Sequence, residues 1–302
     1  MKFKFKIQDY QTEAVDAVVK VFEGQTFNDK VSYLRDLGKQ GRAVQTAMFE
    51  EDVNYIDSDG SGFENAQIEL SDAQILDNIR ALQLSNNIEQ SSESSKPFGH
   101  NCRCALDIEM ETGTGKTYCY IKTMFELNKQ YGWSKFIVVV PSIAIREGVK
   151  KSFEVMEDHF FEYYGKKARY FVYNSKNLNQ LDNFSSSKDI YVMIINSQAF
   201  ASSLKEGAKN EAARIIYSKQ DSFGSRRPID VIAANRPIII LDEPQKLGGD
   251  ATQTSIKRFN PLFSLNYSAT HKNVHNPVYV LDALDAYQKK LVKKIEVKGS
   301  GV

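Results

Sequence analysis

The run Thr112-Gly113-Thr114-Gly115-Lys116-Thr117 has residue types suited to one task, holding the phosphates of a nucleotide. Glycines let the backbone wrap closely around an anion, and successive amide N–H groups at a helix start favour negative charge. Lys116 would reach the β- and γ-phosphates, and the Thr117 hydroxyl would ligate Mg²⁺. The full pattern has a further glycine five residues before Gly115, where this chain carries Met110. The plain alternative is a glycine-rich turn followed by a chance Lys-Thr. The strand expected before the run and the helix expected after it argue against that.

A second candidate is Ile238-Ile239-Ile240-Leu241-Asp242-Glu243-Pro244-Gln245, an apolar strand ending in two acids. A carboxylate at a strand tip suits Mg²⁺, and its neighbour can polarise an attacking water. Asp242 is therefore assigned to the metal and Glu243 to the water, with Gln245 beside them in the catalytic set. Taken alone this could be a charged turn after a core strand; paired with the glycine loop it reads as the metal- and water-holding half of a nucleotide-hydrolysing site. Ser268-Ala269-Thr270 says nothing alone, and gains meaning only from following the other two.

These residues need a frame to hold them. Short apolar runs at 105–110, 136–140, 169–173, 190–195, 237–241 and 262–267 alternate with helix-like stretches at 116–130, 144–158 and 198–220. Buried strands separated by helices predict a mostly parallel sheet covered on both faces. Ligands of such sheets bind at the carboxyl ends of the strands, where all three candidate motifs fall. Ahead of this region, Ala14, Val15, Val18 and Val19 recur at helical spacing. Residues 25–101 differ in character. They are polar, contain Asp57-Ser58-Asp59-Gly60, and end in Gln90-Ser91-Ser92-Glu93-Ser94-Ser95-Lys96-Pro97. This stretch predicts a largely helical insertion with a flexible exit, including a helix capped by Ser71 or Asp72 with Ile75, Leu76, Ile79 and Leu82 inward.

At the three sites the sequence resembles the first motor lobe of superfamily-two helicases, and more closely the restriction subunit of type III restriction–modification enzymes. The Asp242-Glu243-Pro244-Gln245 form is the more specific clue, and Met110 through Thr117 also looks like that subfamily. The resemblance implies a RecA-like P-loop NTPase fold, with ATP and Mg²⁺ as cofactors and hydrolysis coupled to movement along double-stranded DNA. It casts Thr112, Gly113, Thr114, Gly115, Lys116 and Thr117 as the phosphate cradle and Gln11, after Tyr10, as the reader of the adenine edge. Pro141, Ser142 and Arg146 look like a motif touching the nucleic-acid backbone, with Asn196–Phe200 as a further element of that kind. Ser268 and Thr270 look like the motif coupling hydrolysis to DNA. The resemblance also implies a methyltransferase subunit as partner. It divides the chain into an adenine-recognition segment (1–24), the insertion (25–101), the ATPase lobe (102–290) and the start of a linker (291–302). A second lobe and a nuclease domain would be missing, so a fragment with little activity of its own is expected. A P-loop ATPase without a nucleic-acid substrate is the alternative, as is a binding module with a vestigial loop.

The formal net charge of +1 excludes a uniformly basic protein, so any DNA contact must be a local stripe. Three cysteines clustered at 102, 104 and 119 suggest a reducing cytoplasm rather than a disulfide scaffold. Neither a leader nor a spanning run of about 20 apolar residues is legible, so no membrane role is expected. Cys102-Arg103-Cys104 with His100 fits no common zinc spacing, and His271 and His275, four apart, lie beside the helix-averse Asn273 and Pro277. The aromatic cluster 160–164 suits helix packing better than base stacking. Arg226-Arg227 and Lys150-Lys151 look like solvated faces.

Overall fold

The computed structural model describes residues 5–38, 60–201, 211–247, 249–281, 283–289 and 291. The first four residues, most of the linker expected at 291–302, and part of the helix expected across 198–220 therefore lie outside the described residues. In that last stretch a 3₁₀ turn, Ser197–Ala199, and a helix, Glu211–Tyr217, are seen instead of one continuous helix.

The main sheet has seven parallel strands: β3 (Ala105–Met110), β4 (Lys135–Val140), β5 (Arg169–Val172), β6 (Tyr191–Asn196), β7 (Ile238–Asp242), β8 (Ser264–Ser268) and β9 (Asn276–Leu281). Their order is β5-β6-β4-β7-β8-β3-β9, the plan of a RecA-like P-loop fold. A separate two-stranded antiparallel ribbon pairs β1 (Ser32–Leu34) with β2 (Ser61–Phe63). The helices are α1 (Asp9–Lys20), α2 (Asp72–Ser85), α3 (Lys116–Tyr131), α4 (Ile143–Tyr164), α5 (Asn179–Ser186), α6 (Glu211–Tyr217), α7 (Pro228–Ala234), α8 (Asp250–Lys257) and α9 (Ala283–Gln288).

Two cores, one on each face, explain why the strands read as near-continuous apolar runs. Along β4, Phe136, Val138 and Val140 enter one core, while Ile137 and Val139 enter the other. Strand β7 splits likewise, Ile238 and Ile240 against Ile239 and Leu241. The aromatic cluster packs as helix surface: Phe160 and Tyr164 stack on Phe125 at 5.0 and 4.9 Å between ring centres.

Strand β9 was not anticipated, because its Pro277 reads as a break. Proline is tolerated at the start of an edge strand, where a missing N–H costs least. The edge is covered by α2, whose Gln83 and Asn86 amides donate to the Pro277 and Val278 carbonyls, each at 2.9 Å. Ser71 does cap α2, in a reciprocal box with Gln74.

The segment expected as a flexible exit is tied down in the structure. Arg80 donates to the Ser91 and Ser92 carbonyls, and the Ser95 amide donates to Asn276 Oδ1 at 2.8 Å. Polar side chains there satisfy backbone groups rather than solvent, which composition cannot distinguish. Arg226 likewise is not a solvated face. Its guanidinium is buried and grips both oxygens of Asp182 at 2.7 and 2.9 Å. His271 and His275 lie in the β8–β9 loop and converge on buried Asp107. The His275 backbone amide donates to it at 2.6 Å, the Asn266 side chain at 2.7 Å, and His271 Nδ1 stands 3.9 Å away. Among the described residues no helix is long and apolar enough to cross a membrane.

Candidate nucleotide site

The glycine loop occupies residues 111–115, between the end of β3 and the start of α3. Gly113 has φ 85° and would meet nothing within 4 Å if it carried a Cβ, so the loop crest faces open space. Gly115, the residue before α3, has φ 93°, and a Cβ there would sit 2.5 Å from Gln11 Nε2. Only glycine permits both that conformation and that approach. The loop is braced from within by Thr114, whose hydroxyl donates to Glu111 O at 2.6 Å, and by the Thr112 amide on Glu111 Oε1 at 2.8 Å. The Thr114 side chain is thus used by the loop and is buried. Strand β9 adds a bond from the Glu111 amide to Leu281 O at 3.2 Å.

Helix α1 locks the loop from outside. Tyr10 Oη and Gln11 Nε2 both donate to the Thr114 carbonyl, at 2.8 and 3.1 Å. The glutamine expected to meet adenine therefore lies against the phosphate loop.

The acids at the tip of β7 stand opposite. Glu243 has a left-handed backbone (φ 56°), a conformation costing a non-glycine residue about 1–3 kcal/mol. That turn brings its carboxylate to the lysine: Lys116 Nζ lies 3.0 Å from Glu243 Oε1 and donates to Met110 O at 3.1 Å. The two side chains are 11% and 12% exposed, dry enough to pair strongly yet open to a ligand. Burial disfavours the Glu243 charge, but the Lys116 ammonium outweighs it and holds the carboxyl below its ordinary value. Asp242 is buried beside it. Desolvation first, and then the Glu243 charge, push its carboxyl up to about 6.

A chain of polar contacts continues to the third motif. Gln245 Nε2 donates to Glu243 Oε2 at 2.5 Å, and Ser268 Oγ stands 2.7 Å from Gln245 Oε1. The same Ser268 oxygen accepts from the Thr270 amide at 3.1 Å and lies 2.6 Å from the Thr270 carbonyl. A serine has one proton to give, so Gln245 and Thr270 compete for it. Lys116, Glu243, Gln245, Ser268 and Thr270 thus form one connected set, although they come from three separate loops.

Pro141, Ser142 and Arg146 are not in that set. Ser142 caps α4 by accepting from the Ile145 amide at 3.3 Å. Arg146 donates to Asn196 Oδ1 at 3.1 Å, joining the first turn of α4 to the end of β6. Arg146 lines an open cleft of about 450 Å³ together with Tyr173, Asn174, Asn196 and Gln198. Tyr173 and Asn174 carried no motif to announce them. Neither did Tyr120 on α3, whose buried phenol lies 3.5 Å from Asp242 Oδ2.

A glycine loop on a helix N-terminus, facing paired acids at the tip of the neighbouring strand but one, defines a P-loop NTPase lobe. The chain matches the family model described as "Type III restriction enzyme, res subunit" over residues 4–273. It belongs to that family.

Its curated relatives include the EcoP15I Res subunit of Escherichia coli, 33% identical over 252 residues, and the EcoPI Res subunit of Escherichia phage P1, 32% identical over 252 residues. Each alignment takes in 76% of this chain but 25% of the relative, so the chain spans about a quarter of their length. Looser likenesses exist among solved structures. A Sulfolobus solfataricus SWI2/SNF2 ATPase core in complex with dsDNA has 13% identity and a TM-score of 0.33, covering 69% of this chain and 33% of that one. The UvsW helicase from bacteriophage T4 has 14% identity and a TM-score of 0.33, covering 78% and 71%. At such scores they carry no argument.

Proposed function

We propose that this chain is the ATP-binding lobe of a DNA-translocating ATPase in a type III restriction–modification system. It would work in the cytoplasm on double-stranded DNA, beside a methyltransferase subunit. The observation that carries the proposal is the Lys116–Glu243 pair and its extension through Gln245 to Ser268. A lysine held only for folding would not need a carboxylate set at a strained backbone position beneath an open glycine crest.

The residues present fit a magnesium nucleotide. Gly113 leaves room for phosphate, the first amides of α3 face it, and Thr117 and Asp242 would hold the cation. Magnesium ATP supplies the phosphoryl group to be transferred and a cation that neutralises its charge. Lys116 would exchange Glu243 for phosphate oxygens, leaving Glu243 free to orient a water and accept its proton. Gln245 fixes the second Glu243 oxygen and would pass the change to Ser268, which with Thr270 would couple hydrolysis to DNA.

Calorimetric titration with magnesium ADP tests the site. The parent binds, and Lys116→Ala binds about 10–100-fold more weakly, the worth of a charge-assisted hydrogen bond of roughly 1.5–3 kcal/mol. Equal affinities would refute the assignment.

A further inference from the structure

Tyr120 stands one helical turn beyond Thr117 on α3, on the face turned toward β7 and β8. It is fully buried, with its ring set edge-on to Tyr267 at 5.5 Å between centres. The ring alone would suit a core. The hydroxyl does not, because burying a phenol without a partner costs free energy that a phenylalanine would avoid.

The partner its hydroxyl has is a residue assigned to the cation. Asp242 Oδ2 lies 3.5 Å from Tyr120 Oη, at the outer limit of a hydrogen bond. Tyr267, its aromatic neighbour, directs its own hydroxyl elsewhere, to Thr123 Oγ1 at 3.1 Å. Tyr120 is therefore the phenol in this cluster that meets a metal-assigned side chain, Asp242, and Tyr267 is the built-in comparison. Asp242 is itself almost wholly desolvated, so a donor behind it decides which way its carboxylate points.

We propose that Tyr120 is a positioning residue for magnesium, holding the Asp242 carboxylate in the orientation that receives the cation. The proposal rests on the magnesium-nucleotide reading of the site and adds to it a residue no loop motif contains. Residues that orient metal ligands from behind typically change metal affinity about 10–100-fold when removed. The same distinguishes it from a packing role, which would alter stability without favouring the metal-loaded nucleotide over the free one.

The test is ADP affinity titrated against Mg²⁺ in the parent, Tyr120→Phe and Tyr267→Phe. Tyr120→Phe should need about 10-fold more Mg²⁺ for half its effect, with ADP affinity in chelator unchanged. Tyr267→Phe should follow the parent curve. A parent whose ADP binding ignores Mg²⁺ would sink the underlying reading and this proposal together. A parent that responds to Mg²⁺ while Tyr120→Phe matches it, or while both variants shift alike, overturns the Tyr120 role alone. Should Tyr120→Phe not fold, a fluorotyrosine placed at position 120 keeps the phenol. Its fluorine resonance should move when Mg²⁺ joins the ADP complex but not when ADP binds alone; a resonance indifferent to Mg²⁺ overturns the proposal.

Discussion

Two lysines mark the two ends of the sheet, and they are held in opposite ways. Lys116, at the carboxyl end, faces a carboxylate across an open loop. Lys135, the first residue of β4 at the other end, is fully buried and donates to the Phe184 and Ser187 carbonyls at the end of α5. One has a charged partner that a ligand can replace; the other has neutral partners that nothing can reach. Burial pushes the Lys135 amine down to about 7, against the pull of Asp189 and with the help of Arg35. A neutral amine still has two protons to donate, which is what two carbonyls require. A lysine proposed for chemistry and a lysine kept for folding thus differ in partner chemistry as well as in burial.

The largest expected effect that would sharpen the contrast is a double dissociation. Lys116→Ala should lose nucleotide affinity as given above while its urea midpoint stays near the parent's. Lys135→Met should leave magnesium-ADP affinity unchanged and lower the midpoint, since two buried carbonyls lose their donor. If Lys135→Met weakened nucleotide binding as much as Lys116→Ala, the two ends would not be separable.

The pH dependence should distinguish them next. The folded chain holds Lys135 at about 7, below the ordinary 10.5, so the unfolded chain binds a proton the folded one lacks between those values. The cost of burying the charge is full below pH 7 and is relieved as pH rises through 7 toward 10.5. The parent's urea midpoint should therefore climb more steeply from about pH 7 to about pH 9 than that of Lys135→Met. Parallel curves would mean Lys135 stays charged in the folded chain.

A smaller effect concerns Gln11. We expect Gln11→Ala to weaken ATP about 2–10-fold and GTP less, in the range of a neutral hydrogen bond. Competition between the two nucleotides decides it. Equal losses would make Gln11 a brace for the Thr114 carbonyl rather than a reader of adenine.

Smallest is Arg146→Ala at the second cleft. Duplex DNA affinity followed by anisotropy should drop a few-fold near physiological salt, and the slope of log affinity against log salt should fall by about one. An unchanged slope would leave Arg146 as a tie between α4 and Asn196 and nothing more.

Local patterns carried much of this protein. The glycine loop, the acids at the end of an apolar strand and the alternation of strand and helix are written in neighbouring residues, because turn conformation and periodic burial are local properties. From them came the parallel sheet, six of its seven strands and the residues proposed to line the nucleotide site. The seventh strand, β9, was decided by tertiary structure. Its proline is acceptable only at an edge, and only the placement of α2 makes that edge a covered one. The same is true of Arg226 and Lys135. Charged letters in a sequence suggest solvent, yet a partner more than forty residues away makes burial affordable. Tyr120 and Glu243 complete the lesson. The letters offered a tyrosine in a helix and an acid in a turn; only the packing of α3 against β7 and β8 set the phenol behind Asp242 and the carboxylate against Lys116. Spacing along the chain determines which groups can act, whereas distances across the sheet determine which groups meet.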